Sequence, residues 1–126
     1  MLLVATQLRQ SPIHGIGVFA VSPIAAGTHV WRFAPGLDLD LDPALADSLP
    51  EHARQFLAHF AYVDRYINRL ILCFDNGRFV NHSDEPNVLC DYSECRFGVD
   101  IAARDIAAGE EITTDYTDFE DLEPPT

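Results

Sequence analysis

The sequence predicts a mostly β fold with few helices, and three observations support this prediction. The chain has 126 residues, 48 % of them apolar, which is enough for one domain with its own hydrophobic core. Its 7 glycines and 8 prolines divide it into short segments. Most of these segments carry the alternating or continuous apolar pattern of a β-strand, and one carries the periodicity of a helix.

Strand-like segments occur along the whole chain. They are residues 2–8, 17–21, 28–33, 66–74, 87–92, 97–102 and 111–116. The predicted helix covers residues 50–62, because apolar side chains recur there at the spacing of one helical face. The side chains of this face are Ala53, Phe56, Leu57, Phe60 and Ala61.

Two connecting segments are predicted to lack regular structure. Residues 37–42 alternate Asp and Leu before a proline, which predicts an acidic loop or a short extended piece. Residues 81–87 are rich in side chains that prefer hydrogen bonds to the nearby backbone. Phe79 and Val80 lead into this second loop, so we expect it to be anchored against the core.

A four-residue pattern, Ile-Ala-Ala-Gly, occurs at residues 24–27 and again at residues 106–109. Each copy stands shortly before a predicted strand. We therefore expect two turns of the same geometry, in which Gly27 and Gly109 adopt positive φ.

The charge balance is strongly acidic. Eight arginines, no lysine and 20 acidic residues give a formal net charge of −12. Such a chain repels phosphates, which argues against direct binding of nucleic acid. A basic protein or peptide partner is favoured instead, because opposite potentials speed encounter.

Composition also bears on location and on metal binding. No apolar stretch reaches the ~20 residues of a membrane helix, and the first residues lack the pattern of a secretory signal, so a cytoplasmic or nuclear protein without membrane association is expected. The cysteines Cys73, Cys90 and Cys95 form no C-x-x-C pair. We expect them to be reduced, with Cys73 in the core and with no metal site.

Three short motifs are candidates for a functional site. In the first, Gly15 and Gly17 flank Ile16 just before a predicted strand, and such a turn lets a ligand approach the main chain closely. The second contains Asn81, whose amide can both donate and accept hydrogen bonds. His82 beside it is predicted to be a neutral, hydrogen-bonded spacer, since no second His or Cys stands at metal-ligand spacing.

The third motif, residues 106–116, ends in Tyr116. A tyrosine at a strand end beside a cleft can position a nucleophile through its phenol, and the alternative is a packed aromatic with its hydroxyl at the surface. Acidic residues surround it in the sequence: Asp115, Asp118, Glu120 and Asp121. We expect these carboxylates on the outer surface, where they would attract a basic partner.

In this order, the three motifs resemble those of the SET domain of protein lysine methyltransferases. The matching residues are Gly15 and Gly17, the Asn-His-Ser loop with its trailing Pro86 and Asn87, and the Gly-Glu-Glu-Ile-x-x-Asp-Tyr segment at 109–116. The resemblance spans most of the chain. It implies a β-clip of several small curved sheets, with a C-terminal pseudoknot in which the Asn-His-Ser segment passes under a loop near the C-terminus.

The resemblance also implies roles for individual residues. The cofactor S-adenosylmethionine would be held by Gly15, Ile16, Gly17, Asn81 and His82. Tyr116 would be the catalytic residue, at the end of a narrow channel that brings in the substrate lysine from the opposite face. Candidates for the channel wall are Tyr62, Tyr66, Phe74 and Phe119.

Such a site works mainly by positioning. Methyl transfer is an in-line displacement at a carbon that the sulfonium already activates, so no covalent nucleophile is required. The incoming amine must be neutral, and an apolar channel lowers its pKa by disfavouring the ammonium form. Tyr116 would orient the amine lone pair toward the methyl group.

The chain departs from larger SET proteins after Tyr116. It lacks the cysteine-rich, zinc-binding segment that closes their channel, so it resembles a compact stand-alone member with a catalytic domain over residues 1–116 and an acidic tail over residues 117–126. We therefore expect the tail or a second copy of the chain, in a homodimer, to complete the channel. Thr114 also replaces an aromatic residue that the family often has.

The predicted function is that of an S-adenosylmethionine-dependent protein lysine N-methyltransferase. Its expected substrate is a basic protein such as a histone or a ribosomal protein. The alternative is a catalytically inactive SET-fold module that binds a basic partner through its acidic surface. Cofactor binding without methyl transfer would favour the module.

Overall fold

The computed structural model describes residues 1–119, which form one α-helix and ten short strands. The strands are β1 (Thr6–Gln10), β2 (Ile16–Ala20), β3 (His29–Arg32), β4 (Leu39–Leu41), β5 (Tyr62–Asp64), β6 (Arg69–Leu72), β7 (Asn81–His82), β8 (Val88–Asp91), β9 (Val99–Ala102) and β10 (Glu111–Thr114). The helix α1 (Glu51–Phe60) lies between β4 and β5. The prediction of a mostly β fold with few helices is confirmed.

The strands form three small sheets. Their orders are β1-β2-β10-β7, β3-β9-β8 and β4-β6-β5. Strand β7 runs parallel to β10, with Asn81 opposite Thr113 and His82 opposite Thr114. This pairing brings the Asn-His-Ser segment beside the C-terminal motif, which is the neighbourhood that the expected pseudoknot requires.

The hydrophobic core joins the first two sheets. Its buried members are Val18, Ala20, Ile24, Val30, Val88, Ala102, Ile106 and Ile112. The two Ile-Ala-Ala-Gly turns meet there, since Ile24 and Ile106 exchange backbone hydrogen bonds of 2.8 Å in both directions. Gly27 and Gly109 have φ of +85° and +83°, which confirms the prediction of two similar turns.

The sequence-based strand bounds are wrong at two places. The first strand runs from Thr6 to Gln10, not over residues 2–8, because it pairs with β2 in a hairpin between Thr6↔Ala20 and Gln10↔Ile16. The segment 66–74 is not one strand, since the Asp64 side chain accepts hydrogen bonds from the backbone of Tyr66 and Ile67 and creates a turn. The hairpin of β5 and β6 results.

Two further predictions need correction near the C-terminal motif. Residues 81 and 82 are not irregular, because the parallel neighbour β10 satisfies their backbone. The final strand ends at Thr114, before Tyr116, since the Asp115 side chain accepts a 3.0 Å hydrogen bond from the backbone of Thr117 and starts a 3₁₀ turn.

The helix ends two residues earlier than predicted, at Phe60, and Tyr62 begins β5. Phe60 packs on Phe79 with ring centroids 5.4 Å apart, whereas Phe56 of the predicted apolar face is 44 % exposed. Neither α1 nor any other helix within residues 1–119 has the length and apolar character needed to cross a membrane. Most of the predicted acidic tail, residues 120–126, lies outside the described residues.

Candidate functional site

The glycine motif forms a turn that leads into strand β2. The backbone N–H of Ser11 donates to the carbonyl of Gly15 over 2.8 Å, and the Ser11 hydroxyl accepts from the N–H of Ile13. Gly15 has φ of +45°, and no atom would lie within 4 Å of a side chain there. The turn therefore leaves its main chain open on one side.

Asn81 joins this turn to the C-terminal motif. Its side chain is buried, and Nδ2 donates to the carbonyl of His14 over 3.0 Å and to that of Ile16 over 3.4 Å. The same nitrogen lies 3.0 Å from Glu111 Oε2, and the Glu111 carboxylate also accepts from the Ser11 hydroxyl. One amide thus contacts segments that are between 30 and 67 residues away in sequence.

Gly17 permits the close approach of Glu111. A Cβ at position 17 would stand 2.4 Å from Glu111 Oε2 and 3.0 Å from the Ser11 Cβ. The absence of a side chain at Gly17 is therefore a condition for the contact between Glu111 and Asn81.

We expect Gly17→Ala to lower the free energy of unfolding by about 1–3 kcal/mol, the usual cost of a forced overlap. Because the overlap is mainly with Glu111, the same substitution should cost at least ~1 kcal/mol less in a Glu111→Ala background. Urea unfolding of the four proteins of this cycle measures the coupling. Additive effects would contradict the contact.

His82 connects Asn81 to Tyr116. Its Nδ1 accepts a 3.0 Å hydrogen bond from the backbone N–H of Tyr116, and its Nε2 lies 2.9 Å from Asp84 Oδ1. An Nδ1 that accepts requires the proton on Nε2, so the ring is held as a neutral donor to Asp84. The imidazole is a hydrogen-bonded spacer, as the sequence predicts.

The side chain of Tyr116 is held by one hydrogen bond and two ring contacts. Its hydroxyl donates to the carbonyl of Val80, and its ring lies 5.3 Å from the His82 ring and 5.9 Å from the Phe119 ring, centroid to centroid. A phenol that donates its proton keeps oxygen lone pairs that point elsewhere. The hydrogen bond to Val80 therefore sets the orientation of the Tyr116 hydroxyl.

Tyr116 borders a cavity of about 180 Å³. Of the predicted wall residues, Tyr62 and Phe119 line this cavity, with their rings 4.8 Å apart. Tyr66 and Phe74 do not belong to its lining. Tyr66 is 61 % exposed and packs against Tyr92, and Phe74 is 43 % exposed.

The cavity and the glycine turn lie on different sides of the segment that contains Asn81. Val80, Thr114 and Tyr116 line the cavity, whereas Asn81 contacts the turn. Successive side chains of an extended segment point in opposite directions, so this division follows from the backbone. A ligand on the turn and a ligand in the cavity would meet near Tyr116.

Sequence reasoning missed Asp100, a carboxylic acid in the cavity wall. Asp100 lies on β9 between Trp31 of β3 and Cys90 of β8, and all three line the cavity. Burial raises the pKa of Asp100 from 3.8 to about 7, and a hydrogen bond from the Cys90 thiol opposes part of that rise. The local pattern Val-Asp-Ile-Ala suggests an outward Asp, because Val99 and Ile101 flank it.

The pKa of Asp100 is raised in the folded state, so folding favours its protonated form. The contribution of this group to the free energy of unfolding is present at pH 4 and is lost as the pH rises through 7. Asp100→Asn removes this titration. We expect the variant to match the wild type at pH 4 and to exceed it by about 2–4 kcal/mol at pH 8 in urea unfolding. Asp47→Asn, at an exposed position, is the control, and a variant less stable than wild type at pH 8 would contradict the burial argument.

The carboxylates next to Tyr116 differ from Asp100 in position, because Asp115 and Asp118 do not line the cavity. The pKa of Asp115 is lowered by hydrogen bonds from Thr117, whereas burial raises that of Asp118. Glu120 and Asp121 lie outside the described residues. Within residues 1–119, no group of three or more His, Cys, Asp or Glu side chains is placed to hold a metal ion.

Comparisons with known proteins bear on the family and the fold of the chain. A family model described as SET domain matches residues 15–117. A Plasmodium falciparum protein, provisionally named histone-lysine N-methyltransferase 1, is 29 % identical over 113 residues, which are 86 % of this chain and 2 % of that protein. The chain therefore spans only a small part of the length of this relative.

Two solved structures share the fold. One is a crystal structure of a provisionally assigned histone methyltransferase of Plasmodium falciparum, with a TM-score of 0.63 and 20 % identity over 91 % of this chain and 95 % of that one. The other is a chain of a humanized Chaetomium thermophilum Polycomb Repressive Complex 2 bound to the inhibitor GSK126, with a TM-score of 0.64 and 22 % identity over 94 % of this chain and 16 % of that one. Since the family model covers far more than half of its residues, the chain belongs to the SET domain family.

Proposed function

We propose that the chain is an S-adenosylmethionine-dependent protein lysine N-methyltransferase that acts on a basic protein. The observation that carries the proposal is a pair of adjacent residues beside a cavity: Asn81 hydrogen-bonds to the glycine turn, and His82 hydrogen-bonds to Tyr116 in the cavity wall. Family membership supports it, as do the names of the relatives, which refer to histone methyltransferases.

The residues of the turn fit a methyl-donor cofactor. Ile16 is 51 % exposed, and the space beside Gly15 is open, so a ligand can reach the main chain here. Gly15, Ile16, Gly17, Asn81 and His82 would hold the cofactor. When bound, S-adenosylmethionine supplies a methyl group activated by a sulfonium.

The cavity fits the side chain that would receive the methyl group. An engineered cavity of about 150 Å³ in another protein holds benzene, so the cavity beside Tyr116 has room for an alkylamine. The Tyr116 hydroxyl, held by Val80, would accept an N–H of the amine and so direct its lone pair. The aromatic walls would disfavour the charged ammonium and lower its pKa.

The substrate would be a basic protein such as a histone or a ribosomal protein. The formal charge of −12 favours a cationic partner, and the chain has no lysine of its own to modify. A methylation assay with this chain therefore has no background from self-methylation at lysine.

We also propose that a second copy of the chain or its acidic tail, most of which lies outside the described residues, completes the channel beside Phe119, a residue of the cavity wall. Light scattering of the full chain with cofactor and peptide is expected to detect a dimer. If it detects a monomer, deletion of residues 118–126 is expected to cause a loss of activity. A fully active monomer after that deletion would contradict this proposal.

Calorimetric titration with S-adenosylmethionine, followed by transfer of a radiolabelled methyl group to mixed basic proteins, tests the proposed function. We expect saturable binding and label that resists acid hydrolysis as methyllysine. Binding without transfer would favour the alternative, an inactive module that binds a basic partner. The absence of both cofactor binding and methyl transfer would overturn the proposal.

A further inference from the structure

We infer that Asp100 binds the ammonium group of the entering side chain inside the cavity and takes its proton before methyl transfer. This inference rests on the proposed function, because it assigns the proton step of that reaction to a residue outside the three sequence motifs. It concerns a carboxyl group that neither the glycine turn nor the Asn81 network uses.

The position of Asp100 in its sheet is the first argument. Strand β9 is the middle strand between β3 and β8, and the row Trp31, Asp100 and Cys90 crosses all three strands. Val88 and Ala102, two residues along from Cys90 and Asp100, belong to the buried core. Side chains two residues apart share a face, so the carboxyl of Asp100 points inward.

The walls of the cavity are the second argument. Tyr62 lines the cavity together with Asp100, and the Tyr62 ring packs on Phe119, which in turn lies beside Tyr116. A carboxylate among aromatic rings is an acceptor suited to an ammonium group, since both ions lose water on entry and pair with each other. An uncharged side chain of the same shape gains no such pairing.

The proton step is balanced by the two groups alone. Because burial disfavours the charged form of both groups, the N–H bond of the ammonium breaks, the proton forms an O–H bond with the Asp100 carboxylate, and a neutral amine and a neutral carboxylic acid remain. The amine lone pair then attacks the methyl group of the sulfonium donor, and the electron pair of the broken C–S bond stays on sulfur. Asp100 later returns its proton to solvent.

The groups around Asp100 suit this role. Cys90 of β8 hydrogen-bonds to the carboxyl, and the amino terminus lowers the Asp100 pKa whereas Asp118 raises it. Burial raises the pKa values of the Cys73 and Cys90 thiols and of the Tyr62 phenol, so these neighbours stay neutral near pH 7. Arg78 also lines the cavity, with its guanidinium over the rings of Phe60 and Phe79. The pKa of Asp100 itself, about 7, lies in the range where a proton acceptor is effective.

The pH dependence of kcat/KM for a lysine peptide tests the inference, with Asp100→Asn compared to wild type and to the surface control Asp47→Asn. In the wild type, kcat/KM should rise with an apparent pKa near 7. In Asp100→Asn it should fall about 100-fold at pH 7, and the deficit should shrink to within about threefold at pH 10, where solvent supplies neutral amine. An unchanged profile in Asp100→Asn would overturn the inference.

A binding measurement separates this inference from the proposed function. Calorimetry with n-butylamine and n-butanol, each with the full chain at pH 7.5, should show a preference of at least tenfold for the amine in wild type and none in Asp100→Asn. If that preference is found but no methyl transfer occurs in wild type, Asp100 recognises a cation and the proposed function fails. If wild type transfers methyl groups but has no amine preference, the assignment of Asp100 fails and the proposed function stands.

Discussion

Tyr116→Phe is expected to lower kcat for methyl transfer at least ~100-fold while the affinity for S-adenosylmethionine stays within about threefold of wild type. The substitution removes only the hydroxyl, which donates to the carbonyl of Val80 and would orient the amine. Loss of this hydrogen bond should cost about 1 kcal/mol of stability, so the variant stays folded. Single-turnover kinetics with radiolabelled cofactor measure the chemical step.

The matched control is Tyr66→Phe. Tyr66 is 61 % exposed and lies outside the cavity lining, so its hydroxyl should not affect kcat. The pair therefore compares the Tyr116 hydroxyl in the cavity wall with a tyrosine hydroxyl outside it. Wild-type kcat in Tyr116→Phe would remove the phenol from the mechanism.

Asn81→Asp is expected to lower the free energy of unfolding by about 3 kcal/mol or more at pH 8 and to weaken cofactor binding at least tenfold. Nδ2 of Asn81 faces the carbonyls of His14 and Ile16 and the carboxylate of Glu111, so the substitution places an acceptor against three acceptors. The carboxyl pair created with Glu111 would retain a proton to a higher pH than usual. The loss of stability should therefore be smaller at pH 5 than at pH 8, as urea unfolding at both values will show.

Asn76→Asp provides the comparison for this substitution. Asn76 Nδ2 donates over 3.2 Å to the hydroxyl of Thr6, which can reverse its role and donate to a carboxylate. We expect a change within about 1 kcal/mol. Equal losses in the two variants would show that Asn81 does not hold the three segments together.

The fold could be predicted where one segment carries its own signal. The helical spacing of Phe60 and its neighbours predicts α1, and the repeated Ile-Ala-Ala-Gly pattern predicts two turns with positive φ. The short strands β5 and β7 carry no such signal. Strand β7 pairs with β10, which is distant in sequence, so its hydrogen bonds depend on a contact that a local pattern does not contain. Strand β5 forms because the turn at Asp64 lets it pair with β6.

In the candidate site too, the predicted residues are those that belong to a recognisable motif. Gly15, Asn81 and Tyr116 are found because each belongs to a motif with a recognisable order. The hydrogen bond from Asn81 to Glu111 is not predicted, because Glu111 belongs to the third motif but the sequence assigns it no contact. Asp100 escaped notice for a physical reason, since the apolar neighbours Val99 and Ile101 suggest an outward Asp, whereas Ala102 on its own face belongs to the buried core.

A structure of the chain with S-adenosylhomocysteine and a lysine peptide tests the central claim most directly, because the claim concerns where two ligands meet. We expect the cofactor product against residues 15–17, Asn81 and His82, and the lysine side chain in the cavity with its nitrogen within hydrogen-bond distance of the Tyr116 hydroxyl. A cofactor product bound inside the cavity, or a lysine that approaches from the side of the glycine turn, would contradict the two-sided site.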